Sequence, residues 1–180
     1  MTATVERSTP TTQYEFLLYR PAVTLEKARN DEKTVVQWLE WMNDPEILRF
    51  MYDTEPYTKE EIARWVKKVT QDPRRHYFSI RADGKDVGFV SLRQDQAPGT
   101  SAEIGIVIGD KDYWDKGVGS QTVKKTLAYA KDTAGLTNIR AMIKPDNERS
   151  IRLFTRSGFH EVAEVTVNGA PMIRFEKNLA

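Results

Sequence analysis

Residues 76–81, 87–92 and 102–108 each alternate apolar and polar side chains, and turn residues divide them: Asp83 and Gly84, then Pro98, Gly99 and Thr100. The spacing predicts an antiparallel meander of three strands in the middle of the chain. Just past Gly109 and Asp110 the period changes. Val118, Val123, Leu127, Ala130 and Ala134 now recur at helical spacing, with Gly135 as a C-terminal cap. A meander that runs straight into a long helix is not the opening of a dinucleotide-binding βαβ unit.

The flanking segments complete the order. Residues 15–20 look like a first strand ending at Pro21, and residues 24–42 are helical in pattern, with Val35, Trp38, Leu39 and Met42 on one stripe. Asn43, Asp44 and Pro45 stop that helix and start a short one over 46–51. Thr58 and Glu61 form a capping box ahead of Ile62, Trp65, Val66 and Val69, and the helix should end near Asp72 and Pro73. Residues 138–143 read as a strand cut by Pro145, and 147–157 as a helix closed by Gly158. Residues 159–167 and 172–175 make a final hairpin turning at Asn168 and Gly169. The order β-α-α-α-β-β-β-α-β-α-β-β gives an α/β (α+β) fold with a mixed, mostly antiparallel sheet of about seven strands flanked by helices. A chain of 180 residues is the size of one domain, expected over residues 14–180 after a loose Thr/Ser-rich tail at 1–13.

Composition removes several chemistries. With 0 Cys there is no disulfide, thiolate metal site or acyl-cysteine. The 2 histidines, His76 and His160, exclude a His-rich metal site, so no metal is expected. Net charge +1 gives no whole-chain attraction to nucleic acid or membrane, and neither partner is expected. No apolar run approaches the ~20 residues of a membrane span, and no secretory h-region precedes residue 14. A soluble, cytoplasmic, monomeric or homodimeric protein is the expectation.

The stretch Trp114, Asp115, Lys116, Gly117, Val118, Gly119, Ser120 follows a strand and opens a helix. Glycines there permit a sharp turn, and the first helical N–H groups together with the helix dipole form an anion site suited to a pyrophosphate. An ordinary strand-to-helix turn is the competing reading. No Walker string is present, and the dinucleotide fingerprint lacks its third glycine, because Thr122 stands there. The stretch 147–159 begins with Asn147 as a cap, carries Ser150 at the third helical position and ends in Gly158 and Phe159.

Gly117-Val118-Gly119 after Trp114 resembles motif A of the GNAT superfamily of acetyl-CoA-dependent N-acetyltransferases, and the string from Asn147 to Phe159 resembles its motif B. Trp114 stands where the superfamily usually has Arg or Gln. That departure, the string Trp41-Met42-Asn43-Asp44-Pro45-Glu46 and the string Ala102-Glu103-Ile104-Gly105 resemble the RimJ/RimL branch. The resemblance spans roughly residues 15 to 176.

It implies transfer of an acetyl group from acetyl-CoA to a primary amine of a protein N-terminus, a small amine or an amino-sugar, by direct attack in a ternary complex. The alternative is a non-catalytic acyl-CoA-binding module. Ile106, Val107 and Ile108 would pair with the pantetheine arm. The amides of Asp115, Lys116, Gly117, Val118, Gly119 and Ser120 would hold the pyrophosphate, and Asn147 would contact it from the other wall. Glu103 is the expected base, with a surface carboxylate paired to a nearby Arg as the competing reading and Asp110 and Asp112 as lesser alternatives for the base. Many relatives carry a Tyr where this chain has Phe154, which would pack on the pantetheine or in the core. Ser150 is then the expected acid, with Tyr113 and Tyr129 as fallbacks. The aromatic set Trp38, Trp41, Tyr52, Tyr57 and Trp65 reads either as helix-face core, the stronger reading, or as an acceptor wall, and Trp41 and Tyr52, together with Glu103, are the residues expected around the acceptor. Asp44, Asp53, Glu55 and Glu60 lean toward a cationic acceptor, and Arg74 and Arg75 toward a solvated pair, with an acidic partner or nucleotide phosphates as the other readings.

Overall fold

The structure, a computed structural model, describes residues 19–95 and 99–180. Residues 15–18 of the expected first strand, the tail at 1–13 and Pro98 lie outside them. The elements are β1 (Val23–Lys27), α1 (Glu32–Met42), α2 (Pro45–Leu48), α3 (Lys59–Gln71), β2 (Arg75–Ala82), β3 (Lys85–Gln94), β4 (Ser101–Ile108), a 3-10 turn (Lys111–Tyr113), α4 (Val118–Asp132), β5 (Asn138–Ile143), α5 (Glu148–Arg156), β6 (His160–Val167) and β7 (Ala170–Asn178). They form one seven-stranded sheet in the order β1-β2-β3-β4-β5-β7-β6. Among the described residues only the β4–β5 pairing is parallel. From α1 onward the predicted order of strands and helices is the observed one, whereas Tyr19 and Arg20 of the expected first strand are not in a strand and β1 begins only after Pro21. No described helix is long and apolar enough to cross a membrane.

One stretch expected as helix is strand. Residues 24–27 pair with β2, Leu25 opposite Ile80, instead of extending α1. The apolar stripe never included them. The helix begins where Asp31 accepts a hydrogen bond from the Thr34 amide at 2.9 Å, an N-cap that fixes its first turn. The short helix is also shorter than 46–51. Asp44 caps it, Pro45 occupies the first turn, and it ends at Leu48. The Thr58–Glu61 capping box forms in full. Helix α4 ends at Asp132, so the left-handed Gly135 lies beyond the cap instead of forming it.

Each face of the sheet buries its own apolar cluster. On one, α4 and α5 cover Val90, Leu92, Ile104, Ile139, Ala141 and Phe175. On the other, α1 and α3 cover Tyr77, Phe89 and Val107, with Trp38 stacked on Phe89 at 4.3 Å and packed against Trp65 at 4.9 Å. These helices cover only part of the second face. The part over β4, β5 and the end of β7 carries Glu103, Arg140 and Arg174.

Candidate active site

Strands β4 and β5 are partners for only three positions: Ser101 with Asn138, Ala102 with Ile139, and Glu103 with Arg140. Beyond that point β5 continues with β7 and β4 continues with β3 alone, through Ile104 opposite Leu92 to Ile108 opposite Gly88. The two strands therefore part after Glu103, and one edge of β4 loses its neighbour. An unpaired strand edge presents N–H and C=O groups to whatever enters. A cavity of about 770 Å³ lies there, lined by Ile106, Val107 and Ile108 on the strand side.

The turn that follows closes the cavity's far end. Gly117 caps α4 with φ 77°, and among the described residues no side-chain cap hydrogen bond reaches the helix's first amides. Asp115 is left-handed as well, at φ 57°. A left-handed residue followed by a glycine cap turns successive peptide N–H groups toward one point, which suits an anion. Gly119 and Ser120 line the cavity beside them. Basic side chains outnumber acidic ones on the lining: Arg20, Arg49, Lys116, Arg149, Arg152 and Arg156 against Glu46, Asp115, Asp146 and Glu148. Together the free strand edge, the uncapped amides and the positive excess fit a long anionic molecule with an amide arm. A Cβ at Gly117 would stand 3.3 Å from an Arg20 nitrogen, so a side chain there intrudes on the cradle.

Helix α5 forms the opposite wall. Its Asn147 cap accepts from the Ser150 amide at 3.1 Å, which leaves the Ser150 hydroxyl without a hydrogen bond among the described residues and facing the cavity. Arg149 lies 4.1 Å from the centre of the Trp114 ring and 3.3 Å from Asp115, tying the two walls together. The Trp114 indole donates to the Ile108 carbonyl at 2.7 Å.

A second cavity of about 420 Å³ sits on the β4 face where pairing with β5 still holds. Tyr52, Arg75, Arg93, Asp95, Glu103, Arg140, Met142, Val167 and Asn168 line it with Gln94. Glu103 is its hub. One carboxylate oxygen accepts from the Tyr52 hydroxyl at 2.9 Å and from Arg93, and the other faces the Arg140 Nε at 3.5 Å. Asp95 holds the Arg140 fork through both its oxygens, and the hydrogen bonds from Arg140 keep the Asp95 carboxyl below its usual range. Burial, followed by the Glu103 charge, pushes the Tyr52 phenol well above its ordinary value, so it stays protonated. Burial opposes the Arg93 charge, but Glu103, Tyr77 and Tyr52 outweigh it and hold Arg93 above its usual value. Met51 lines the first cavity and Tyr52 the second. Reciprocal bonds between Asn43 and the Tyr57 backbone, at 2.8 and 2.7 Å, tether the loop that carries both residues.

Most of the predicted site residues meet. Ile106, Val107, Ile108, Asp115, Lys116, Gly117, Gly119, Ser120, Asn147 and Ser150 all line the first cavity. Tyr52 and Glu103 line the second. Three side chains do not reach either. Val118 is 1% exposed, so it contributes only its backbone to the turn. Phe154 packs edge-on against Phe159 at 5.0 Å inside the core, not on the cavity wall. Trp41 is buried against Gly109, where a Cβ would stand 2.0 Å from its ring, and it contacts no acceptor space. Of the lesser candidates, Tyr113 lines the first cavity, and two others are spent elsewhere. Asp110 pairs with Lys85 at 2.7 Å, and Tyr129 bonds His76 at 3.1 Å. Asp44 pairs with Lys111 at 2.7 Å, and Asp53, Glu55 and Glu60 line neither of these two cavities. Arg74 is held by Asp72, whereas Arg75 reaches the second cavity.

Arg93, Arg140 and Arg149 were missed. Arg93 and Arg140 sit at exposed-looking strand positions, and only knowledge of the register brings them beside Glu103. Arg149 lies inside the recognised 147–159 string, and its position two residues from the Asn147 cap, in the first turn of α5, was the available signal.

The chain matches a family model described as acetyltransferase (GNAT) domain over residues 23–160. An uncharacterised N-acetyltransferase, p20 of Bacillus licheniformis, is 27% identical over 150 residues, 80% of this chain and 82% of that one. Human alpha/beta-tubulin-N-acetyltransferase 9 is 30% identical over 141 residues, 71% of this chain and 68% of that one. The fold is also that of the spermidine N-acetyltransferase of Vibrio cholerae, solved with CoA and spermine, at a TM-score of 0.76 and 20% identity over 87% of this chain and 95% of that one.

Proposed function

The chain belongs to the GNAT acetyltransferase family, and on that premise we propose that it transfers an acetyl group from acetyl-CoA to a primary amine by direct attack in a ternary complex. The observation that carries this reading is the parting of β4 from β5 after Glu103, which opens a cavity between a free strand edge and an uncapped helix N-terminus. The CoA bound by the Vibrio cholerae neighbour supports the same use of this cavity. Trp114 and the strings at 41–46 and 102–105 support a place in the RimJ/RimL-like branch. One domain over residues 14–180 remains part of the proposal.

The residues fit the group. Backbone edges of Ile106 to Ile108 would take the amide arm. The amides from Asp115 to Ser120, with Asn147 opposite, would take the pyrophosphate. Acetyl-CoA held there supplies an activated thioester whose acyl carbon an amine can attack.

The protein's own residues handle the protons. An amine is mostly protonated near neutral pH and must lose a proton to attack. Glu103 lies where the two strands separate, roughly 10 Å along β4 from Ile106 at about 3.3 Å per residue. Its Oε1 is filled by Tyr52 and Arg93, while Oε2 has only the Arg140 Nε at 3.5 Å, so Oε2 is the less encumbered oxygen to receive the amine proton, directly or through water. With no Cys in the chain, an acylated cysteine does not intervene. The Ser150 hydroxyl is placed to stabilise or protonate the departing thiolate from the α5 wall. The test is thiol release from acetyl-CoA with a panel of primary amines. Turnover supports the enzyme, and tight acetyl-CoA binding with no turnover across the panel supports the non-catalytic module instead.

A further inference from the structure

A row of charged residues crosses the sheet at one level. Arg75 on β2 stands opposite Arg93 on β3, Arg93 opposite Glu103 on β4, and Glu103 opposite Arg140 on β5. Directly opposed residues share a face, with Cβ atoms about 4.5–5.5 Å apart, and like charges in that relation destabilise a sheet. The Arg75–Arg93 pair is such a conflict. It lies in the wall of the second cavity, the kind of place where a local rule is broken for a ligand.

Existing partners satisfy the row incompletely. Asp95 occupies the Arg140 fork, and Arg93 spends one terminal nitrogen on Glu103. Arg75 uses its Nε on Asp72 at 3.2 Å, and its two terminal nitrogens make no hydrogen bond among the described residues. The cavity thus presents two adjacent guanidinium groups with donors to spare at one end and the Glu103 carboxylate at the other. Guanidinium forks recognise carboxylates and phosphates. A polycation would meet three arginines and only two carboxylates, Asp95 and Glu103, on this lining.

Resting on the acetyltransferase reading above, we propose that the acceptor is a primary amine that also carries an anionic group, a phosphate or a carboxylate, bound by Arg75 and Arg93 while its nitrogen lies at Glu103. Arg75 and Glu103 are two strands apart, so amine and anion are separated by roughly 10 Å or less, at about 4.8 Å per strand.

Matched probes test this by thiol release and calorimetry: glucosamine against glucosamine 6-phosphate, a C-terminally amidated dipeptide against the free acid, and spermidine. In at least one pair the anionic member should show kcat/KM at least about tenfold above its neutral partner and above spermidine, the factor expected for hydrogen bonds to charged groups. The phosphate and carboxylate pairs tell the two anions apart. Arg75→Gln should bring the ratio to about one, with Arg75→Lys in between because it keeps charge but loses the fork. Preference for spermidine or for both neutral members overturns the inference, as does a ratio that survives R75Q. Should no probe be acetylated, the ratio of calorimetric Kd values for the same pairs decides it, and equal values overturn it. Failure of the acetyl-CoA reading shows separately, as absence of acetyl-CoA binding with no acceptor present.

Discussion

The two cavities share β4 but are built from different material. The larger is mostly main chain: a strand edge without a neighbour, a left-handed turn and a helix whose first amides have no cap. The smaller is mostly side chain: Arg75, Arg93, Glu103 and Arg140 from four strands, with Tyr52 from a tethered loop. A main-chain site recognises what is common to every reaction of a family, here a phosphate and an amide arm. A side-chain site can be rewritten one residue at a time, and that is where selectivity for the second substrate belongs. Substitutions should therefore separate cleanly, affecting binding of acetyl-CoA on one side and turnover or acceptor choice on the other.

The largest effect is expected at Glu103. Glu103→Gln keeps the shape and removes the base, so kcat should fall about 10²–10⁴-fold, the usual contribution of a positioned acid or base. Acetyl-CoA affinity by calorimetry should not change. Full activity near neutral pH would remove Glu103 from the chemistry and leave the row as a purely structural or acceptor-binding feature.

Gly117→Glu attacks the other cavity. It forces a side chain into φ 77° and sets a carboxylate in the anion cradle beside Arg20. Acetyl-CoA affinity should drop at least about 100-fold, or about 2.7 kcal/mol. Gly117→Ala, which brings strain without charge, should lose much less. Equal losses for both would mean that backbone geometry, not electrostatics, makes the cradle. Unchanged affinity would place the pyrophosphate elsewhere.

This division also explains what the sequence disclosed. A main-chain site leaves its mark in contiguous residues, because a turn and a helix start are local events. Gly117, Gly119 and Asn147 could therefore be recognised before any tertiary structure was known. The order of strands and helices was legible for the same reason, since period and punctuation are local. The start of α1 was misjudged because residues 24–27 carry no stripe of their own, and pairing with β2 decided their conformation. Trp41 looked like an acceptor wall because exposed and buried aromatics share one pattern in a helix, and only the close approach of Gly109 distinguishes them. The arginine row was invisible for a deeper reason. Arg75, Arg93 and Arg140 are ordinary surface-type residues until strand register lines them up, and register between β4 and β5 depends on a crossover through α4.

A smaller effect is expected at Tyr52. Its phenol stays protonated because burial and the Glu103 charge raise its ionisation, so it can only donate to Glu103 and has no acid to offer the thiolate. It is a positioning residue. Tyr52→Phe removes one hydrogen bond to a charged group and should lower kcat about tenfold, with the KM for acetyl-CoA unchanged. A rise in that KM instead would couple the two cavities through the Met51–Tyr52 loop and break the separation drawn above.

The smallest effect tests the boundary between the cavities. The Ser150 hydroxyl faces the larger cavity and makes no hydrogen bond among the described residues, while its amide is held by Asn147. Ser150→Ala therefore leaves the α5 cap intact and removes only the hydroxyl. Phe154 has no proton to give and lies in the core, so the departing thiolate has Ser150, Tyr113 on the same cavity wall, or water to stabilise it. A thiolate is a good leaving group near neutral pH, its reference pKa being about 8.5, so help with its departure is worth little. The expected loss in kcat is about threefold, roughly 0.7 kcal/mol, with acetyl-CoA affinity unaltered. An unchanged kcat would leave water or Tyr113 as the proton source. A loss as deep as that of Glu103→Gln would mean that departure of the thiolate, not deprotonation of the amine, limits the reaction, and the larger cavity would then contribute chemistry as well as binding.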